Sequence, residues 1–296
     1  MFKRYVCSFL LFLSILFCLS FSRQSDEIEV IRVTPNLYKF HRFPVSFLAY
    51  MGDDGVLLSD MADIISKEQL QLELKKLGND NVKYIINTHW HHDHTFGNKL
   101  FGKSSTIISH ESVLKWLSKD QELMGDTYKA FPEYALPDIT FTNNMKLYFN
   151  AETIELTHLP NCHTDGDIIV FFKDSNILHI GDIIISDFMF PSVDIERGGS
   201  VRGLARGLQE IIKIMPENVR IITGHIKNDY SIEDLKKHRE MILATIDIVD
   251  QSIKKGLSLE DMKRLEILKN WKNWETPVTK CNDWLEYIYY DITVKK

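Results

Sequence analysis

The feature that most constrains this chain is the run of residues 89–94, which reads His-Trp-His-His-Asp-His. Imidazoles grouped beside a carboxylate repel one another when protonated, whereas a cation satisfies all of them together. Side chains alternate along an extended segment, so we expect His89 and His91 on one side, with Asp93 and His94 one step further round. The pattern predicts a metal site, and two pairs of ligands favour two metal ions.

Three later positions can complete such a site. His163 lies in the loop 160–167, and Asp182 and His225 each follow a short apolar run that we interpret as a strand. Strand ends are rigid supports, and sites are usually built on the loops that leave them. We therefore expect these residues to converge with the histidine run on one rim of the fold.

The remaining sequence predicts two strand-rich halves, each closed by helices. Short β-branched and aromatic runs between residues 28 and 59 indicate an antiparallel meander, and a second set of runs lies between residues 146 and 180. Ser66 with Gln69 is typical of a capping box, and Ser231 opens a long amphipathic helix that ends near Gly256. Two such halves predict an α/β fold in which two sheets pack face to face with helices outside.

The N-terminus is typical of a secretory signal peptide. Lys3 and Arg4 precede an uncharged run, Val6–Phe21, which is shorter than the roughly 20 residues that a membrane-spanning helix needs. We expect cleavage near Ser22, so residues 1–22 would be removed and the protein would be periplasmic or secreted. A lipid anchor on Cys18 is the less favoured alternative.

Composition narrows the classes of partner. The chain has 296 residues, is 44% hydrophobic and carries a formal net charge of -6, without a run rich in lysine or arginine. Nucleic-acid binding normally needs a basic face, so we expect a small-molecule substrate and no nucleic acid. The oligomeric state is open. Cys162 and Cys281 could form a disulfide, or Cys162 could be a free thiol beside the metal or a small buried group.

The motifs taken together resemble the metallo-β-lactamase superfamily. The resemblance rests on Thr88–Gly97, His163–Asp167, Gly181-Asp182 and Gly224-His225, in that order along the chain. It implies a four-layer αββα sandwich over residues 23–240. The residues beyond it are rich in aromatic side chains, so we expect 241–296 to form a helical and aromatic extension packed on that domain. It also implies a dinuclear centre with His89, His91 and His163 on the first metal, Asp93, His94 and His225 on the second, and Asp182 bridging.

The same resemblance implies a zinc-dependent hydrolase, although iron is possible. A bridging hydroxide would attack an amide, lactam, lactone or ester bond, and Asp93 would orient that nucleophile and take its proton. The bridging Asp182 is similar to glyoxalase II, a thioester hydrolase, whereas the largest zinc β-lactamase subclass has cysteine there and lysine at the position of Ile185. Glyoxalase II in turn has tyrosine at the position of Lys227. Two alternatives remain: a mononuclear iron enzyme resembling persulfide dioxygenases, and a binding or sulfur-handling accessory protein that keeps the fold without turnover.

The stretch Gly198–Val201 is similar to an exported, β-lactamase-like branch of the superfamily. We expect substrate contacts from loops above the rim. The loops are 124–139 and 188–197, and the candidate side chains are Tyr128, Phe131, Tyr134, Arg197 and Lys227. The other histidines are interpreted as packed or exposed, and alternation points His92 away from the ligands. His110 could support the site or begin a helix, and Asp60 could bond the histidine loop.

Overall fold

The computed structural model describes residues 28–62, 65–123, 125–187, 189–276 and 279–294. The predicted signal peptide and its two cysteines lie outside the described residues. Phe188, in one of the segments predicted to contact substrate, lies outside them as well.

The first sheet has seven strands, and the predicted meander forms one side of it. Its strands are β1 (Glu29–Arg32), β2 (Leu37–Arg42), β3 (Val45–Gly52), β4 (Gly55–Ser59), β5 (Val82–Asn87), β6 (Thr106–His110) and β9 (Ile139–Phe141). Their order is β1-β2-β3-β4-β5-β6-β9. Between β6 and β9 the chain forms a separate hairpin of β7 (Gln121–Leu123) and β8 (Asp126–Tyr128). Strands β1 to β4 pair antiparallel, whereas β4, β5, β6 and β9 are parallel neighbours. The carboxyl ends of the parallel strands consequently meet at one edge.

The second sheet has five strands in sequence order. They are β10 (Asn144–Phe149), β11 (Glu152–His158), β12 (Ile168–Phe172), β13 (Ile177–His179) and β14 (Arg220–Ile222). Pairing is antiparallel up to β13, and β13 and β14 are parallel. The last two strands therefore end at the same edge, which is where Asp182 and His225 follow them.

The central strands are buried on both faces, because each sheet is covered on both sides. In β3, Leu48 and Tyr50 join the apolar layer between the two sheets, whereas Phe47 and Ala49 face the helix side of the first sheet. The second sheet repeats this alternation, with Val170 between the sheets and its neighbours on the outer face. Continuous apolar strands of this kind are expected when helices cover both outer faces. The predicted αββα layering is confirmed.

Helices begin where the sequence supplies caps. Their bounds are α1 (Lys67–Lys76), α2 (His92–Thr95), α3 (Gly97–Phe101), α4 (Glu111–Leu117), α5 (Val201–Ile214), α6 (Ile232–Lys254), α7 (Leu259–Arg264) and α8 (Cys281–Thr293), with 3-10 turns at Glu133–Ala135, Ile195–Arg197 and Lys269–Trp274. Ser66 and Gln69 form the predicted capping box, and Ser231 caps α6 in the same way. Such caps satisfy backbone N–H groups that the helix itself leaves unpaired.

The C-terminal residues fold back as expected of their aromatic content, although the helix α8 was not predicted. Trp284 of α8 is completely buried, and its indole N–H donates to Thr245 Oγ1 of α6 at 3.0 Å. Asp291 near the end of α8 accepts from Arg202 at the start of α5. The boundary predicted at residues 240 and 241 falls inside α6, and the division into two parts stays a prediction.

Two expectations concern groups away from the rim. Cys162 and Cys281 are both buried free thiols and do not form a disulfide. Cys162 packs against α5, where a Cβ added to Gly207 would lie 2.3 Å from its sulfur, so the small buried group is the interpretation that holds. Within the described ranges, no helix has both the length and the hydrophobicity that a membrane span requires.

Candidate metal centre

The predicted ligands meet at the edge where the parallel strands end. Two groups of side chains each have their potential ligand atoms within 4.8 Å of one another. The first group is His89, His91, His163 and Asp182, and the second is Asp93, His94 and His225. The structure thus brings together the seven residues that the sequence motifs predict, with Asp182 in the first group, and their roles as metal ligands stay a prediction.

The histidine run is not extended throughout. Residues 88–90 bend as the chain leaves β5, α2 begins at His92, and the N–H of His94 donates to the His91 carbonyl at 3.0 Å. The helical turn carries Asp93 and His94 round to the second group. His92 points elsewhere, with its ring 5.2 Å from that of Tyr128, as alternation predicted.

Asp182 lies between the two groups. Its Oδ2 is 3.9 Å from Nε2 of both His89 and His163, and 2.9 Å from Nε2 of His225. Its Oδ1 is 3.2 Å from Nε2 of His94. A single carboxylate therefore faces imidazole nitrogens of both groups. Its Oδ2 lies near His89, His163 and His225, and its Oδ1 lies near His94.

The charges of the centre are strongly coupled. Burial opposes the charge of Asp182, but His225 and His94 hold its pKa well below the usual 3.8. Burial likewise opposes protonation of His94, yet Asp182, Asp93 and Asp60 raise its pKa well above 6.5. Burial and the neighbouring His94 and His91 lower the pKa of His89 well below 6.5. The buried carboxylates thus require positive charge beside them, which a divalent cation supplies.

Hydrogen bonds on the far side of each ring determine which nitrogen faces the centre. His163 Nδ1 lies 2.8 Å from the Ser192 carbonyl oxygen, and His91 Nε2 lies 3.2 Å from Asp194 Oδ2. Both oxygens can only accept, so these nitrogens donate. The lone pairs of the neutral rings then lie on His163 Nε2 and His91 Nδ1, which are 2.9 Å apart. Two lone pairs facing each other at this distance are repulsive unless a cation binds both.

His89 and His94 are likewise oriented by bonds on their outer nitrogens. His94 Nδ1 bonds Asp60 Oδ2 at 2.9 Å, and His89 Nδ1 lies 3.1 Å from Thr88 Oγ1. Their Nε2 atoms are buried without a hydrogen-bond partner, as is Asp182 Oδ1. Buried polar atoms without partners are rare in folded proteins. In a metal site, hydrogen bonds to the outer nitrogen orient each ring, and the inner ligand atoms have no protein partner. These residues have that arrangement, so they fit divalent metal ions.

Asp60 organises the loop that carries the run. It follows β4 with φ of 59°, a left-handed conformation that Asp adopts more readily than most residues. Its carboxylate accepts from the N–H and the hydroxyl of Thr88, each at 2.7 Å, in addition to His94. The predicted bond between Asp60 and the histidine loop is confirmed.

Two glycines permit the close packing of the rim. A Cβ on Gly224 would lie 2.4 Å from His94 Cε1 and 2.6 Å from Asp182 Oδ1. Gly181 has φ of 50°, and its Cβ would lie 2.4 Å from Thr88 Oγ1. Any larger residue at either position would displace a potential ligand or its support.

The loops of His163 and His225 are fixed by bonds to neighbouring strands and turns. Asp167 accepts from the N–H and the hydroxyl of Thr164, each at 2.7 Å, which closes the turn after His163. Beside His225, the N–H of Ser46 donates to the Gly224 carbonyl at 2.6 Å. The His163 loop is thereby closed on itself, and the His225 loop is bonded to strand β3 through Ser46.

The side chains predicted to contact substrate have varied surroundings. Phe131 is buried with Lys99 Nζ 4.1 Å from its ring, Tyr128 packs on His92, and Tyr134 is exposed beneath Lys103. Lys227 Nζ pairs with Glu29 Oε1 at 2.7 Å.

Arg197 is largely buried and bonds protein groups. Its guanidinium donates to Glu196 and to the Glu122 carbonyl, and it lies 5.5 Å from the ring centre of Trp90. These contacts hold the β7–β8 hairpin against the rim. Its predicted role in binding a substrate carboxylate stays a prediction, as do the roles of the other four.

The remaining histidines lie outside the two groups. His110 caps α4 by accepting from Ser112 N at 3.2 Å and stacks on His158 with ring centres 3.7 Å apart, so beginning a helix explains it. His179 bonds Ser59 Oγ at 2.8 Å behind the centre, and His238 lies 3.0 Å from the Asp234 carbonyl oxygen in α6.

Sequence reasoning missed two groups that support the ligands, Asp194 and the Ser192 carbonyl. An acidic residue in a polar turn carries no distinctive spacing, and a carbonyl carries no sequence signal at all. In the structure, Asp194 begins a 3-10 turn that ends at Gly198, which has φ of 85°.

Comparison with known proteins agrees with this geometry. The sequence profile of the Metallo-beta-lactamase superfamily matches residues 52–225, which include both ligand groups. The chain belongs to the metallo-β-lactamase superfamily. Among relatives of this superfamily member, the hydroxyacylglutathione hydrolase of Pelagibacter ubique (strain HTCC1062) is 24% identical over 241 residues, which cover 78% of this chain and 85% of the relative.

Solved structures show the same fold. A metallo-beta-lactamase from Pontibacter korlensis aligns with a TM-score of 0.61 at 16% identity, over 73% of this superfamily member and 99% of the other chain. The stereoselective inverting sec-alkylsulfatase Pisa1 from Pseudomonas sp. aligns with a TM-score of 0.68 at 13% identity, over 90% of this chain and 50% of that one. Likeness at these identities extends to the fold alone.

Proposed function

We propose that this chain is a hydrolase that uses two zinc ions to cleave an amide, lactam, lactone or ester bond of a small molecule. The observation that carries the proposal is the position of Asp182, whose two oxygens face imidazole nitrogens of two adjacent ligand groups. His89, His91 and His163 would hold the first ion, Asp93, His94 and His225 the second, and Asp182 both. Ligand sets rich in imidazole suit zinc, although iron also binds them.

Bound divalent metal supplies an acidified water and polarises the bond to be cleaved. The chain's own residues supply orientation and proton transfer. His89 and His163 are almost completely buried, so their side of the centre excludes bulk water. Asp93 is the exception among the carboxylates, because its side chain is 40% exposed and its Oδ2 lies 3.6 Å from His94 Nε2 and 3.5 Å from His225 Nε2.

This position suits Asp93 for orienting a water and accepting its proton. The carboxylate contacts the centre on one side and solvent on the other, so a proton taken there can leave to solvent. Asp182 is less suited to this role, because its side chain is only 4% exposed and its oxygens face ligand nitrogens. We therefore assign the proton transfer to Asp93 and the bridging role to Asp182.

Thioester hydrolysis is the second candidate, because the relative from Pelagibacter ubique is a hydroxyacylglutathione hydrolase. The bridging aspartate is compatible with it, whereas Lys227 stands where that family has tyrosine. The proposed export of the protein to the periplasm or the medium, after removal of residues 1–22, also argues against glutathione thioesters, whose pool is cytosolic. We therefore place lactams, lactones and esters first.

A substrate screen tests the proposal. Purified protein loaded with Zn²⁺ would be assayed with a chromogenic cephalosporin, an N-acyl lactone, an acyl ester and a glutathione thioester, with chelated protein as the control. Turnover of any of the first three that disappears on chelation and returns with Zn²⁺ supports the proposal. Turnover of the thioester alone selects the second candidate, and oxygen uptake with a persulfide by protein containing one iron overturns both.

A further inference from the structure

A single turn contacts two histidines of the first ligand group, His91 and His163, which come from separate loops. We define the Asp194 turn as residues 190–199. Its Ser192 carbonyl oxygen lies 2.8 Å from His163 Nδ1, and its Asp194 Oδ2 lies 3.2 Å from His91 Nε2. The N–H of Asp194 also donates to the His163 carbonyl at 2.8 Å. The turn therefore links two potential ligands that are 72 residues apart in sequence.

The carboxylate of Asp194 has a defined electrostatic role in this contact. Because its Oδ2 only accepts, it keeps the hydrogen of His91 on Nε2 and leaves Nδ1, the nitrogen that faces His163, with its lone pair. The other oxygen accepts from Arg197 N at 3.2 Å and lies 3.6 Å from the Arg197 guanidinium. The side chain is only 6% exposed, so its geometry is fixed on every side.

The opposite end of the Asp194 turn is anchored by the C-terminal residues. The N–H of Phe190 donates to the Trp274 carbonyl at 2.9 Å. The Phe190 ring stacks on Trp284 of α8 with ring centres 5.4 Å apart and planes at 16°. A buried aromatic stack of this kind is rigid, so the turn is held between the metal centre and the C-terminal helix.

We propose that Asp194 is a positioning residue for the first metal site, which fixes the tautomer and the ring orientation of His91 from a turn that the C-terminal residues hold in place. The inference rests on the proposed function, since His91 must bind a metal for its tautomer to matter. Carboxylates that bond the far nitrogen of a metal-bound histidine commonly change metal affinity by about 10- to 100-fold when replaced.

The test is the substitution Asp194→Asn in the full mature chain. Asparagine has the same size and keeps an oxygen for Arg197 N, but its amide would donate to His91 Nε2 and move the ring hydrogen to Nδ1. We expect Zn²⁺ affinity, measured by competition with a chromogenic chelator, to fall by about 10- to 100-fold. We also expect the visible spectrum of the Co²⁺-loaded variant to differ from that of wild type, because a ligand is lost or reoriented.

Two further variants separate this role from packing and from net charge. Glu196→Gln removes a charge from the same turn at an exposed side chain that pairs with the same arginine, and it should retain wild-type affinity and spectrum. Asp194→Glu restores the accepting carboxylate, so it should bind Zn²⁺ more tightly than Asp194→Asn. Thermal unfolding of each metal-free variant shows whether it folds.

The outcomes are distinguishable. A folded Asp194→Asn variant with wild-type Zn²⁺ affinity and Co²⁺ spectrum overturns the inference and leaves the proposed function intact. The inference is also overturned if Asp194→Glu binds as weakly as Asp194→Asn, because the role is then one of shape. Wild-type protein that binds neither Zn²⁺ nor Co²⁺ overturns the proposed function together with the inference.

Discussion

Replacing Asp60 by asparagine should weaken both the fold and the metal centre. The carboxylate accepts hydrogen bonds from Thr88 N, Thr88 Oγ1 and His94 Nδ1. Asparagine tolerates the left-handed backbone at φ of 59°, so the substitution changes the side chain alone. Its oxygen can still accept from Thr88 N, and the Thr88 hydroxyl can turn to accept from the new amide. His94 Nδ1 has no such alternative and loses its acceptor.

The expected cost is one hydrogen bond to a charged group, about 2 kcal/mol, in the free energy of unfolding. For a domain of this size that corresponds to a fall of about 4–8 °C in the unfolding temperature of the metal-free protein. Zn²⁺ affinity should fall by about 10- to 100-fold as well, because His94 loses the bond that orients it. Asp53→Asn, an exposed acid in the turn after β3, is the matched control and should change neither quantity. Calorimetry measures the unfolding temperature, and chelator competition measures the Zn²⁺ affinity. Unchanged values of both for Asp60→Asn would show that its bond to His94 supports neither the fold nor the metal centre.

Two other substitutions test the site and the buried charges. His89→Ala removes a buried potential ligand and should abolish metal-dependent hydrolysis while the circular dichroism spectrum stays that of wild type; full activity in a folded variant would contradict the ligand assignment. Burial lowers the pKa of His179 to about 4, so between pH 6.5 and 4 the unfolded chain binds a proton that the folded chain does not, and stability falls as pH drops through this window. In denaturant titrations of metal-free protein, the free energy of unfolding should fall by up to about 3 kcal/mol less in His179→Asn than in wild type over this pH range. An equal pH dependence in both proteins would exclude His179 as its source.

The local signals in the sequence predicted much of the architecture because they act over a few residues. Ser66 with Gln69 and Ser231 with Asp234 cap helices in the structure as they do in the pattern. The run Val82–Asn87, which is rich in β-branched and aromatic residues, forms the strand β5. His89 and His91 lie in one group of potential ligands as alternation predicts, although residues 88–90 bend as the chain leaves β5.

The features that were missed depend on contacts distant in sequence. The helix α8 is stabilised by Trp284 against Thr245 and by Asp291 against Arg202, and neither contact leaves a periodic pattern in the tail. The partner of His91 is Asp194, 103 residues further along the chain. This pairing depends on how the Asp194 turn folds between the metal centre and α8. No single segment of the sequence indicates that arrangement.

The metal content of the purified protein distinguishes a dinuclear zinc centre from a mononuclear iron site. The protein would be purified without chelator, and zinc, iron and other transition metals would be quantified per chain by mass spectrometry, with Asp182→Ala as a variant that lacks the proposed bridging carboxylate. We expect two zinc ions per wild-type chain and fewer in the variant. A single iron per chain, or a metal content that Asp182→Ala leaves unchanged, would contradict it.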